Sequence, residues 1–169
     1  MPHLVILYTG QLDAEVNMTP LCRQLADAML TVQDEAGQQV FPTGGTRVLA
    51  YPAAHYAVAD GGAAGRAAAA SVPSTVTSTV TSTDPGNDPS TDPSTDPGDY
   101  AFVYLNLRMG RGRTEATQQR AGQALLSVVQ AFFAPVMARR HIGITLQIDV
   151  GAEVFDAKHS NLHPLFNKA

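Results

Sequence analysis

Apolar positions change their spacing along this chain, and each change marks an element. His3-Leu4-Val5-Ile6-Leu7-Tyr8 is a short apolar, β-branched run before the turn-forming Thr9-Gly10-Gln11, which predicts a buried strand. Thr19-Pro20 supplies a capping residue with proline at the first helical position. Leu21, Leu25, Ala28, Met29 and Val32 then share one helical face, and Gly37 is the expected stop. After Phe41-Pro42-Thr43-Gly44-Gly45, residues 46–51 read as a second strand. Residues 100–107 predict a third, followed by the glycine-containing turn Met109-Gly110-Arg111-Gly112-Arg113. Thr114-Glu115 open a second helix, in which Leu125, Val128, Val129, Phe132, Phe133 and Val136 recur at helical intervals and Pro135 should kink or end the helix. Residues 142–150 alternate apolar positions with Thr145, Gln147 and Asp149, as a half-buried strand does, and residues 161–166 read as a docked tail.

Between residues 61 and 98 the chain becomes an Ala/Gly patch, a Ser/Thr/Val patch and a tandem Ser-Thr-Asp-Pro repeat. Such composition offers too little to bury to offset its ordering entropy, so it predicts a disordered insertion in a single domain spanning residues 1–169. Outside it, the halves repeat one order of strand, turn, helix and strand. Two such units with right-handed crossovers join into one four-stranded α+β sheet with both helices on one face. The other face then needs cover, which in a domain this small suggests self-association.

Charge alters this picture in one respect. Of the formal net charge of −4, Asp84, Asp88, Asp92, Asp96 and Asp99 all belong to the insertion or its edge, and the rest of the chain carries 10 acidic against 11 basic residues. A nearly neutral folded part lacks the broad positive field that drives nucleic-acid binding. The absence of a signal-like or membrane-length apolar stretch predicts a cytoplasmic protein with no membrane partner. Cys22, the single cysteine, falls on helical apolar spacing and reads as a packed thiol.

Candidate chemistry begins at Pro2. Removal of Met1 would expose a secondary amine at the start of a strand, where burial and nearby cations bring an α-amine, ordinarily titrating near 8, towards neutrality. Such an amine serves as general base and, once protonated, as general acid. In the turn at 109–114, helix N–H groups with Arg111 and Arg113 could converge on an anion, and a planar carboxylate suits the arginine fork. The same arginines, Arg108 included, would equally serve as solvated or intersubunit charges. No P-loop or dinucleotide fingerprint is present. Arg47 follows Gly44-Gly45 at a strand start. His159 and His163 have metal-pair spacing, but Pro164 and the lack of a third ligand argue against a metal; His3, His55 and His141 receive no role.

These segments resemble a known family. Pro2-His3 before an apolar strand, Phe41-Pro42-Thr43-Gly44-Gly45-Thr46-Arg47, Ala59-Asp60-Gly61, Asp99-Tyr100-Ala101-Phe102-Val103, Gly110-Arg111-Gly112-Arg113 and Asn161-Leu162-His163-Pro164-Leu165-Phe166 together look like the 5-carboxymethyl-2-hydroxymuconate isomerases of the tautomerase superfamily. The resemblance implies a tautomerase fold of two β-α-β units, a homotrimer, no cofactor and a site near each subunit boundary. It implies that Pro2 moves a proton within a 2-hydroxymuconate dienol during the breakdown of aromatic compounds such as homoprotocatechuate. It also implies that Arg47 and Arg113 hold the carboxylates of a small polycarboxylate substrate, with Arg111 as an added cation. Two other readings stand beside it: a tautomerase for a smaller enol acid, and a noncatalytic module that binds a carboxylate or a partner chain.

Overall fold

The computed structural model describes residues 2–70 and 100–151. Its elements are β1 (His3–Thr9), α1 (Met18–Thr31), β2 (Arg47–Ala53), α2 (Ala63–Ala70), β3 (Ala101–Gly110), α3 (Glu115–Met137) and β4 (Ile142–Gly151), with short 3₁₀ turns at Gly10–Ala14 and Thr43–Gly45. The strands lie in the order β2-β1-β3-β4. β1 is parallel to β2 and β3 to β4, while the central pair, β1 and β3, runs antiparallel. The expected pair of β-α-β units in one four-stranded sheet is therefore the observed architecture.

Strand alternation decides which face is covered. Leu4, Ile6 and Tyr8 of β1 and Val103, Leu105 and Leu107 of β3 are buried, as are Leu21, Leu25 and Met29 of α1 and Leu125, Val129 and Phe133 of α3. These residues form one core, with Val128 and Phe132 packed at its margin. The opposite face presents Leu7, Leu49, Tyr51 and Phe102 to solvent, each at least 39% exposed. Beside them runs a polar ladder: Tyr104 donates from its hydroxyl to Gln147 Oε1 at 3.0 Å, and Asn106 donates to Asp149 Oδ2 at 2.9 Å.

Local signals placed elements more reliably than ends. α1 starts at Met18, capped by Asn17 through a 2.9 Å bond from the Thr19 N–H, rather than at Thr19-Pro20. Pro20 is tolerated in this first turn because the N–H it lacks would have had no intrahelical acceptor. α1 stops at Thr31, well before Gly37, whose φ of 76° belongs to a later turn. α3 passes through Pro135 and ends two residues later at Met137, so only its last turn accommodates the missing donor. Edge strand β2 includes Pro52, a position from which an absent N–H harms the sheet least.

The segment expected to be disordered from residue 61 instead begins with α2. Alanine has the highest helix propensity, so its run at 67–70 supports a helix as well as a low-complexity reading. Asp60 accepts from the N–H groups of Gly62 and Ala64 at 2.9 and 3.2 Å, which anchors the helix start. Tyr100 then donates its hydroxyl to Asp60 at 3.0 Å, and buried Gln11 donates its amide to the Tyr56 hydroxyl and the Tyr100 carbonyl. Residues 71–98, the docked tail at 161–166, and His159 and His163 lie outside the described residues. Among the described residues, no helix is long and apolar enough to cross a membrane.

Candidate active site

The sheet has two ends, and the predicted residues gather at one of them. His3, the first residue of β1, pairs with Arg47 on β2 and Arg108 on β3, and Arg108 pairs in turn with Asp149 on β4. Pro2, one residue ahead of this row, is buried. β3 continues through Arg108 and Met109 to Gly110, so the expected turn opens at Arg111 rather than at Met109, and Arg111 and Arg113 leave the same end of the sheet. Gly112, at a φ of 101°, makes the reversal that separates them.

Arg113 is half-buried and its orientation is defined. It donates through Nη1 to the Gly110 carbonyl at 3.1 Å and through Nη2 to the Val40 carbonyl at 3.3 Å, with its guanidinium carbon 5.7 Å from the centre of the buried Phe41 ring. This is cation–π distance. Arg111 is exposed. The two arginines line one cleft of about 360 Å³ with Glu35, Gln39, Val40 and Thr117. Pro2 and Arg47 are not among the residues lining it.

The helix N-terminus expected to receive an anion already holds a carboxylate from this chain. Thr114 caps α3 by accepting from the Thr117 N–H at 3.2 Å, and the Thr114 hydroxyl donates to Glu35 Oε1 at 2.6 Å. Thr117 Oγ1 and Arg120 Nη2 also donate to Oε1, each at 3.1 Å. These donors, the Thr114 hydroxyl first, hold the Glu35 pKa down to about 2. Nothing local in the sequence pointed to Glu35, because its partners lie 79 to 85 residues further on. Phe41, in contrast, stands within a segment quoted for the resemblance, although its packing beneath Arg113 was not foreseen.

Positive charge at this end also acts on His3. Burial lowers its pKa, as do Arg47 and the chain's amino terminus.

A larger cleft, about 650 Å³, is at the opposite end of the sheet and is lined by Tyr8, Asp13, Glu15, Asn17 and Cys22 among others. Burial and the 2.7 Å bond to Asp13 push the Tyr8 pKa up to about 12, and burial also raises the Cys22 thiol. Both hold their protons at neutral pH, which makes them poor bases.

The family model described as 5-carboxymethyl-2-hydroxymuconate isomerase matches residues 2–72 and 94–166. A 5-carboxymethyl-2-hydroxymuconate Delta-isomerase of Escherichia coli is 32% identical over 68 residues, which are 40% of this chain and 54% of that protein. The chain thus spans about half the length of the curated relative it matches. A crystal structure of a 5-carboxymethyl-2-hydroxymuconate delta-isomerase is similar over 100% of this chain and 95% of its own, with 55% identity and a TM-score of 0.80. The corresponding isomerase from Deinococcus radiodurans R1 gives 28% identity and a TM-score of 0.67 over 99% and 95% of the two chains.

Proposed function

The chain belongs to the 5-carboxymethyl-2-hydroxymuconate isomerase family, and on that premise we propose that it is a cofactor-independent isomerase of 2-hydroxymuconate-type dienols, with Pro2 as base and acid. The observation that carries the reading is the grouping at one sheet end: buried Pro2 beside the Arg47–His3–Arg108 row, and Arg111 with Arg113 leaving the strand next to it.

The chemistry follows from those groups. With Met1 removed, the unprotonated Pro2 nitrogen takes the proton of the substrate's 2-hydroxyl. The electron pair left on oxygen forms the 2-oxo group, the π electrons move along the diene, and the proton on nitrogen is delivered to the distant carbon. Atoms and charge are conserved, no electrons enter or leave, and the step calls for no cofactor. Guanidinium groups stabilise the charge that develops on the oxygen and hold the carboxylates. Arg47 and Arg113 take that role in this proposal, with Arg111 adding positive charge at the cleft mouth. The substrate is 5-carboxymethyl-2-hydroxymuconate and the working form a cytoplasmic homotrimer, in which the bare apolar face at Leu7, Leu49, Tyr51 and Phe102 is covered and Pro2 and the cleft meet across a subunit boundary.

The test is ketonisation of 5-carboxymethyl-2-hydroxymuconate, followed by absorbance, on protein whose mass establishes that Met1 is gone. Rapid turnover that collapses in a Pro2→Ala variant is the expected result, and equal rates in the two proteins would overturn the proposal. Higher kcat/KM on a smaller 2-hydroxydienoate or a phenylpyruvate-like enol would move the substrate but keep the reaction. One observation favours the noncatalytic reading: Arg113 directs two N–H groups to the chain's own carbonyls, as a structural arginine does. Met1 retained in the cell and no turnover of any enol would select it.

A further inference from the structure

Glu35 is exposed, lines the cleft that holds Arg111 and Arg113, and accepts hydrogen bonds from Thr114, Thr117 and Arg120. Its place in the fold explains why that matters. Residues 32–40 form a tight hairpin-like loop between α1 and the 3₁₀ turn before β2. The Val40 N–H donates to the Val32 carbonyl at 2.9 Å, Gln33 bridges Gln39, and Asp34 Oδ1 accepts from the N–H groups of Ala36 and Gln38, each at 2.9 Å. Such a loop moves as a unit, because its ends and its tip are bonded to one another.

The unit touches α3 at its tip and Arg113 at its base. At the tip, Glu35 accepts from Thr114, Thr117 and Arg120, and Arg120 Nε also donates to the Gln33 carbonyl at 3.3 Å. At the base, the Val40 carbonyl and the Phe41 ring hold the Arg113 guanidinium. Thr114, which Glu35 grips, is the chain neighbour of Arg113. Glu35 therefore constrains Arg113 from both sides, through the backbone that carries it and through the loop that receives its side chain.

We propose that Glu35 is a positioning residue for Arg113, setting the affinity for the substrate carboxylate through the orientation of that guanidinium. This deepens the isomerase reading and rests on it. A group that only orients a binding arginine affects substrate capture and leaves the proton transfer intact, so its loss raises KM more than it lowers kcat.

Steady-state kinetics on Glu35→Ala, Glu35→Gln, Arg113→Ala and the Glu35→Ala/Arg113→Ala double variant test the proposal, with melting curves to verify folding. Expected are a KM about tenfold higher for Glu35→Ala with kcat within about twofold, and substantial rescue in Glu35→Gln, whose amide oxygen still accepts from both threonines. In the Arg113→Ala background the Glu35→Ala change should add almost nothing, because the group it acts through is gone. An unaltered KM in folded Glu35→Ala protein, or a KM effect of equal size with and without Arg113, would overturn it. Should the wild-type protein turn over no enol acid, the isomerase reading fails by itself. The positioning role is then decided by the Arg113 Nε–H resonance, which shifts or broadens in Glu35→Ala if the role is real and stays unchanged if it is not.

Discussion

At the far end of the sheet Arg139 and Arg140 both close on Glu15, at 3.1 and 2.5 Å, and the Arg140 side chain is only 7% exposed. At the end where β1 begins, Arg113 rests on two carbonyls and an aromatic ring, and among the described residues no ion pair involves Arg108, Arg111 or Arg113. One residue type is thus used in two ways. A guanidinium neutralised by a carboxylate of its own chain is a structural element with little attraction left for an external anion. One oriented by neutral carbonyls is held without a counter-charge, so its net positive charge remains to act on an external carboxylate through the donors still free.

That contrast can be broken at either end. The largest effect is expected from Pro2→Ala, which should lower kcat by about 10²–10⁴-fold, the usual contribution of a positioned acid/base group, while the melting temperature stays near that of the wild type. Glu15→Ala should do the reverse. It withdraws the carboxylate from a buried guanidinium, at a cost of about 3 kcal/mol in urea unfolding, with the specific activity of the folded protein preserved. Arg113→Lys should retain charge but lose the planar fork, with kcat/KM falling about tenfold and more in KM than in kcat.

Smaller effects come from pH. The folded pKa of His3 lies below its ordinary value, so the stability it contributes is complete above about pH 6.5 and is lost as pH falls through the lowered folded value. A His3→Gln variant should show a flatter acid limb in urea midpoints measured from pH 8 to 4. Glu35, held at about 2 against an ordinary 4.5, contributes stability that is whole above pH 4.5 and disappears as pH falls through about 2. Wild-type and Glu35→Gln midpoints should accordingly converge towards pH 2. Both differences should be small, since Glu35 is exposed to solvent screening and His3 is only partly buried.

How much of this could be read from the chain depends on the range of the physics involved. The strands and the two long helices were legible because burial imposes periods of 2 and 3.6 on neighbouring residues, and β3 and α3 carry those periods plainly. Helix ends were harder: Asn17 outcompeted Thr19 as a cap, and Gly37 served a turn beyond the helix. The helix at Ala63–Ala70 has no unambiguous signature in composition, which describes what a segment can bury and says nothing of the Asp60 anchor that starts a helix there. Grouping Pro2, Arg47 and Arg113 required the resemblance as well as the residues, since strand register brings Arg47 beside His3 and no local pattern encodes register. The Glu35 contacts, closing across about half the chain, left no local trace at all.

The clasp formed by Gln11, Tyr56, Asp60 and Tyr100 fixes the points at which the chain departs from the core and rejoins it. Both points are held by side-chain hydrogen bonds rather than by the sheet ladder, so a fluorescent reporter or an affinity handle grafted between Asp60 and Tyr100 should leave the pairing of β1 with β2 and β3 unchanged.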